Sequence, residues 1–171
     1  MCSSDLPPRL AVTHDGGVMV VDATTGDVLA EEEVEGYVRV SPAGDDRHAV
    51  VSGPGGWQVL DLGSWGDEHG DHAHHWTTEP GLTGTRFEAV EPGHVVAHEG
   101  VTTLFDDGTG TITSFRTEDL ADGAPEVATT TADEAHHGVA ARYASGNLLL
   151  TRSEEHTSEL QSPMYLACRL L

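Results

Sequence analysis

Histidine is concentrated in three short phrases of this sequence, which carry its most distinctive chemistry. The phrases are GDEHGDHAHH at 66–75, PGHVVAHEG at 92–100 and EAHHGVA at 134–140. Neutral imidazole and carboxylate groups are ligands of zinc, nickel and copper(II), and short histidine-rich tracts are typical of metal-binding segments. The candidate metal ligands are His69, Asp71, His72, His74, His75, His94, His98, His136 and His137.

The phrase at 66–75 is the strongest candidate because its histidines are two and three residues apart. In a flexible loop, side chains at these spacings can converge on one ion, so we predict metal contact here. The alternative is a solvated polar loop. His14 and His48 stand alone in the sequence, and we predict structural roles for them.

The other two phrases predict histidines near strand ends. His94 and His98 bracket Val95–Ala97, and two strand residues four positions apart face the same side but are well separated. His136 and His137 stand just before Gly138 and a further apolar run, which is a similar placement. For both pairs the alternative to metal contact is a hydrogen-bonded histidine that holds a turn.

Both cysteines of the chain lie in terminal segments that read as translated sequencing adapter. Met1–Leu6 reads MCSSDL, and Arg152–Leu171 opens with RSEEHTSELQS. We therefore exclude 1–6 and 152–171 from fold reasoning as adapter artefacts, the alternative at the second end being a genuine amphipathic tail. The remaining segment, 7–151, has no cysteine, so it offers neither a disulfide nor a thiolate metal site.

The charge of the chain excludes two classes of partner. The formal net charge is −21, from 29 acidic and 8 basic residues, and no lysine occurs. Such a field repels nucleic acids and anionic membranes and attracts cations, although solubility or a GC-rich or salt-adapted source explains the bulk charge better than a function does. No run of 18 apolar residues occurs, so the sequence predicts no membrane-spanning segment.

Short strands separated by Gly, Pro and Asp turns predict an all-β fold, which could be a sandwich, a barrel or a propeller. Internal similarity favours the propeller, because THDGGVMVVDATTGDV and AHEGVTTLFDDGTGTI align over their length. We predict that 7–151 is an incomplete β-propeller of about three four-stranded blades. The one mild helix signal is at Thr117–Asp122.

Motifs typical of enzymes are missing from the sequence. It contains no Gly-x-Ser-x-Gly elbow, no phosphate-binding glycine loop and no His-Glu-x-x-His helix. We therefore predict a protein that is not an enzyme. A metal-dependent propeller hydrolase of the lactonase type is the alternative, because zinc with an open position generates a hydroxide nucleophile. A protein-binding propeller scaffold is the third reading.

Three phrases resemble one known family: DLGSWGDEHGDHAHHW, PGHVVAHEGVTTLFDDGTGTI and EAHHGVAARYASGNLLLT. They resemble the bacterial periplasmic zinc metallochaperones of the AztD type, in the order in which that family has them. The resemblance implies a β-propeller that delivers zinc to the solute-binding protein of a zinc ABC transporter, in the periplasm or outside the cell. It also implies zinc contacts from these histidines: His69, His72, His74, His94, His98, His136 and His137.

Overall fold

The computed structural model describes residues 7–36, 38–69, 72–132, 139–142, 148–151 and 165–168, with side chains described for 7–36, 38–66 and 74–132. This part of the chain forms β-strands almost throughout. The strands are β1 Arg9–His14, β2 Gly17–Asp22, β3 Val28–Glu33, β4 Arg39–Pro42, β5 His48–Gly53, β6 Gly56–Asp61, β7 Ser64–His69, β8 His72–Thr77, β9 Gly81–Glu88, β10 Pro92–His98, β11 Val101–Asp106, β12 Thr111–Arg116, β13 Ala128–Thr131, β14 Val139–Arg142, β15 Leu148–Thr151 and β16 Tyr165–Cys168.

These strands form successive antiparallel sheets, so the all-β prediction is confirmed. The strand orders are β1-β2-β3, β4-β5-β6-β9, β10-β11-β12-β13 and β14-β15-β16, and β7 pairs with β8 in a separate hairpin. The sequence predicted about three four-stranded blades. The described residues form two sheets of four strands, two sheets of three strands and the inserted hairpin.

The sheets pack face to face, as blades do, and the second sheet lies between two apolar layers. Val50 of β5 belongs to a buried cluster with Leu104 and Phe115 of the third sheet. Its neighbour Val51 belongs to a different cluster, with Val18 of the first sheet. Successive strand residues point to opposite faces, so a strand covered on both sides needs a continuous apolar run. This explains why the sequence of β5 does not alternate.

Two local features depend on glycine: the close contact between β6 and β9, and the end of a short helix. Gly56 has φ of 143°, and a Cβ there would lie 2.0 Å from the backbone oxygen of Phe87, so the contact between β6 and β9 requires glycine. Thr117–Asp122, the one helix signal of the sequence, is a 3-10 helix that ends at Gly123 in the left-handed conformation. Leu120 of this turn is buried in the layer between the second and third sheets.

The polar stretch at 63–85 contains more regular structure than its sequence predicted. The sequence predicts a loop at the histidine-rich phrase, but the stretch contains β7, β8 and the first part of β9. The reason is that the hairpin leaves the sheet between β6 and β9, and several of its described residues are exposed, including His74, Thr77 and Trp76, the last at 52%. A strand pair with little buried surface needs no apolar alternation, so hydrophobic periodicity does not reveal it.

Candidate metal centre

The histidine-rich phrase forms the β7–β8 hairpin, an insertion between the last two strands of the second sheet. β6 ends at Asp61 and β9 begins at Gly81. The prediction of a flexible loop is therefore corrected: the backbone of this segment is a paired antiparallel ribbon. Pairing fixes which positions lie opposite one another, and a loop would leave that open.

The register of the hairpin brings three predicted ligand positions and one acid to the same face of the ribbon. Asp67 lies opposite His74, and His69 lies opposite His72. Directly opposed residues of an antiparallel pair share a face, as do residues two apart along a strand. The positions 67, 69, 72 and 74 therefore share one face, and position 75, opposite Gly66, lies on the other.

The described side chains of the hairpin differ in exposure. His74 is exposed and His75 is half-buried. The Nδ1 atom of His75 is buried and has no hydrogen-bond partner among the described residues. The side chains of Asp67, His69 and His72, and the whole of Asp71, lie outside the described part of the chain.

The base of the hairpin is held by two arginines, which sequence reasoning did not single out. Arg47, in the turn before β5, donates from Nε and Nη2 to the carboxylate of Asp61 at 3.1 and 2.6 Å. Burial raises the pKa of Asp61, but the Arg47 hydrogen bond and the Gly63 backbone N–H outweigh it and lower that pKa overall. Arg9 donates to carbonyls on both sides of the hairpin. The only signal in the sequence was that basic residues are few, since the chain has 8 of them and all are arginine.

The predicted pair on β10 belongs to the third sheet, and the hairpin is a separate pair of strands. His98 is the last residue of β10, and its Nε2 lies 3.8 Å from the Glu99 carboxylate. His94 lies near the start of the same strand, beside a register shift between Pro92 and Val95. Within the described side chains, no group of three or more His, Cys, Asp or Glu residues is placed to hold a metal ion. His136 and His137 lie outside the described residues.

The two isolated histidines make local contacts, as the sequence predicted. His48 is 3% exposed, and its Nδ1 lies 2.7 Å from Asp45, whose carboxylate also accepts the His48 backbone N–H at 2.6 Å. Burial raises the pKa of Asp45, but these His48 contacts lower it overall. The Nε2 of His14 on β1 lies 3.6 Å from the carboxylate of Glu31 on β3, two strands along the same sheet. Both histidines therefore have structural roles, because each contacts a carboxylate near its own strand or in its own sheet.

Comparison with known proteins identifies the fold. No protein-family model matches the sequence, and no curated protein matches it. A crystal structure of AztD from Citrobacter koseri matches with a TM-score of 0.78 and 21% identity, covering 94% of this chain and 43% of that one. A structure of apo AztD from the same organism matches with a TM-score of 0.76 and 20% identity, covering 94% of this chain and 44% of that one. The chain has an AztD-type fold.

This likeness confirms the predicted incomplete β-propeller, because the chain matches along almost all of its own length but spans under half of each AztD chain. At about one identical residue in five, the match concerns the fold and carries no ligand assignment. Among the described residues, no helix is long and apolar enough to cross a membrane.

Proposed function

We propose that the β7–β8 hairpin binds zinc as cargo, and that the protein is a periplasmic zinc metallochaperone that delivers the ion to the solute-binding protein of a zinc ABC transporter. The observation that carries this proposal is the hairpin register, which puts Asp67, His69, His72 and His74 on one face. The AztD-type fold supports the carrier role, and the net charge of −21 favours the approach of a cation.

Three imidazoles and one carboxylate make a ligand set that suits zinc. Zinc prefers four ligands in a tetrahedral arrangement, with histidine nitrogen at about 2.0–2.1 Å. Directly opposed positions on an antiparallel pair have Cβ atoms about 4.5–5.5 Å apart, which lets the side chains of both strands reach one ion. Asp67 was not among the ligands predicted from the sequence. We include it in the ligand set because it lies opposite His74.

Exposure of the hairpin favours a carrier over a structural zinc site. His74 and Trp76 are exposed, so a partner protein can approach the proposed ion directly. Structural zinc sites are closed cages, whereas an ion that is handed on needs ligands that an acceptor can replace in turn. Imidazole must be deprotonated to bind, so the site also loses the ion as pH falls.

The four predicted histidines outside the hairpin are proposed as a second group of zinc contacts. His94 and His98 lie on β10, and His136 and His137 are separated from the sequence of β14 by Gly138 alone. The support for grouping them is that β10 and β14 contact each other. This second group is proposed as accessory to the hairpin, because β10 contributes only two histidines to it, His94 and His98.

Zinc titration against a chromophoric competitor tests the hairpin site. We expect the triple variant His69→Ala, His72→Ala, His74→Ala to lose the tightest zinc equivalent, because it removes three of the four proposed ligands. The matched control is His75→Ala, at a position on the other face of the ribbon, which should keep the stoichiometry and affinity of the parent protein. Equal zinc binding by the triple variant and the parent would remove the hairpin from the site.

A transfer experiment separates the carrier from the hydrolase alternative. The zinc-loaded protein is mixed with a metal-free solute-binding protein of a zinc ABC transporter, and the rate of transfer is compared with release to a dilute chelator. Transfer faster than release supports delivery through contact. Turnover of a lactone or ester that a chelator abolishes would instead assign the site to hydrolysis.

A further inference from the structure

The two ends of the β7–β8 hairpin are tied together by one guanidinium group from the first sheet. Arg9 donates from Nη1 to the carbonyl of Leu62 at 2.6 Å, and to that of Thr78 at 2.9 Å. These residues flank the hairpin on its two sides, and the Thr78 N–H also donates to the Gly63 carbonyl at 2.7 Å. A Cβ on Gly63 would lie 2.5 Å from Arg9 Nη1, so this approach depends on glycine.

A second guanidinium group fixes the hairpin to the second sheet. The Arg47 guanidinium carbon lies 3.9 Å from the centre of the Trp65 ring on β7. The same group is paired with Asp61, and the Arg47 carbonyl accepts the Leu62 N–H at 2.8 Å. The side chains of Arg47 and Asp61 are only 22% and 16% exposed, so water weakens the pair less than it would at an open surface.

Arginine suits this place better than lysine would. Its planar guanidinium can lie flat on an indole ring while its N–H groups reach a carboxylate at the edge. A lysine ammonium offers charge without the plane, so it can retain only part of the pairing. Trp65 is two residues from Asp67 and lies opposite Trp76, so its orientation is coupled to that of the four proposed ligand positions.

We propose that Arg47 is a positioning residue for metal binding, which orients the β7–β8 hairpin on its blade by stacking on Trp65 and pairing with Asp61. This inference rests on the proposed zinc site. Arg47 lies on the β4–β5 turn and not on the hairpin, so it acts on the ion only through the direction of the ribbon. A hairpin freed at its base would sample many orientations, and zinc binding would then have to order it again.

The test compares Arg47→Met and Arg47→Lys with Arg39→Met. Arg39 donates to the Pro92 carbonyl at 2.6 Å and the Gly93 carbonyl at 3.2 Å, so its loss also removes a contact between sheets, but one that does not involve the hairpin. We expect zinc affinity to fall about tenfold in Arg47→Met and about threefold in Arg47→Lys, with stoichiometry unchanged. Arg39→Met should lower thermal stability and leave the affinity of the tightest zinc equivalent, the one assigned to the hairpin, as it is.

Hydrogen exchange of residues 62–78, measured without metal, keeps this inference separate from the zinc proposal. Faster exchange there in Arg47→Met than in Arg39→Met is the expected result. If exchange is unchanged, Arg47 does not hold the hairpin, whatever zinc does. If exchange rises while zinc affinity stays that of the parent protein, the positioning role is wrong. If the parent protein binds no zinc, the proposed function fails, and the positioning role fails with it.

Discussion

The second sheet and the hairpin inserted into it are held together in different ways. In the sheet, β5 and β6 are covered on both faces, and Val50, Val59 and Leu60 are fully buried. In the hairpin, Trp76 is half exposed and the structure is anchored at its base by arginine contacts. Buried apolar area thus maintains the blade, whereas a few polar contacts orient the ribbon. The proposed metal chemistry can therefore change without altering the fold that carries it.

The largest effect that separates the two regions is expected from Leu60→Ala. Leu60 is fully buried in the layer between the first and second sheets, so its truncation leaves a cavity. We expect a loss of about 2–5 kcal/mol in the free energy of unfolding, measured by urea titration. Zinc stoichiometry of the folded protein should stay unchanged, because the proposed ligand positions lie on β7 and β8, outside the sheet that contains Leu60.

The matched control for this change is Leu10→Ala on β1, where the leucine is 53% exposed. This substitution removes the same atoms but leaves little cavity, so the free energy of unfolding should change by no more than about 0.5 kcal/mol. Equal losses for the two leucines would contradict the view that burial between sheets maintains the blades.

A smaller effect is expected from Asp106→Asn, which removes a buried polar contact of the third sheet. Asp106 accepts the N–H groups of Val90, Glu91 and Gly108 at 3.1, 2.9 and 3.1 Å, and the Thr109 hydroxyl at 2.8 Å. An amide offers one acceptor oxygen where the carboxylate offers two, so donors are left unsatisfied. The expected loss is about 1–3 kcal/mol in the free energy of unfolding, read from thermal or urea unfolding.

Asp22→Asn provides the control, because Asp22 holds the equivalent turn of the aligned repeat. Its carboxylate accepts the N–H groups of Thr24 and Thr25 at 2.7 and 3.1 Å, but it lies in an exposed turn. Water can replace the lost contacts there, so its substitution should cost clearly less than that of Asp106. If the two variants are equally destabilised, burial is not what makes the Asp106 contacts matter.

Much of the fold could be predicted because the blade sequences carry strong local signals. The strands of the aligned repeats, the turns rich in Gly and Asp, and the helix signal at Thr117–Asp122 all lie where the sequence indicated. These signals arise from burial and turn geometry, which act over a few residues. The aligned repeats carried the propeller prediction for the same reason, since each repeat encodes one set of paired strands.

The histidines of the candidate site could be predicted from the sequence, but their arrangement could not. The cluster of histidines at 69–75 marked the segment, yet nothing in its polar sequence indicated that Asp67 would lie opposite His74. Arg47 is 18 residues before Trp65 in the chain, and their contact arises only when β6 and β7 have both formed. Such partners depend on tertiary packing, which local patterns do not encode.

The smallest expected effect is the change in stability between about pH 7 and about pH 5, where zinc should nevertheless leave the protein. Imidazole takes up protons near pH 6.5 and then cannot bind metal. The carboxyl pKa values of Asp45, Asp61 and Asp106 are lowered in the fold by hydrogen bonds that outweigh burial. Their contribution to stability is therefore complete above the unfolded value of about 3.9, and is lost only as pH falls through the lowered values.

Zinc content and urea unfolding, measured together down the pH scale, check this separation. Zinc should leave the loaded protein between about pH 7 and about pH 5. The unfolding midpoint of the metal-free protein should decline only below about pH 4, as the three carboxylates take up protons, and the metal-free triple hairpin variant should follow the same curve. If the metal-free parent protein instead loses stability over the pH range in which zinc leaves, protons taken up in that range also destabilise the blades, and the separation is wrong.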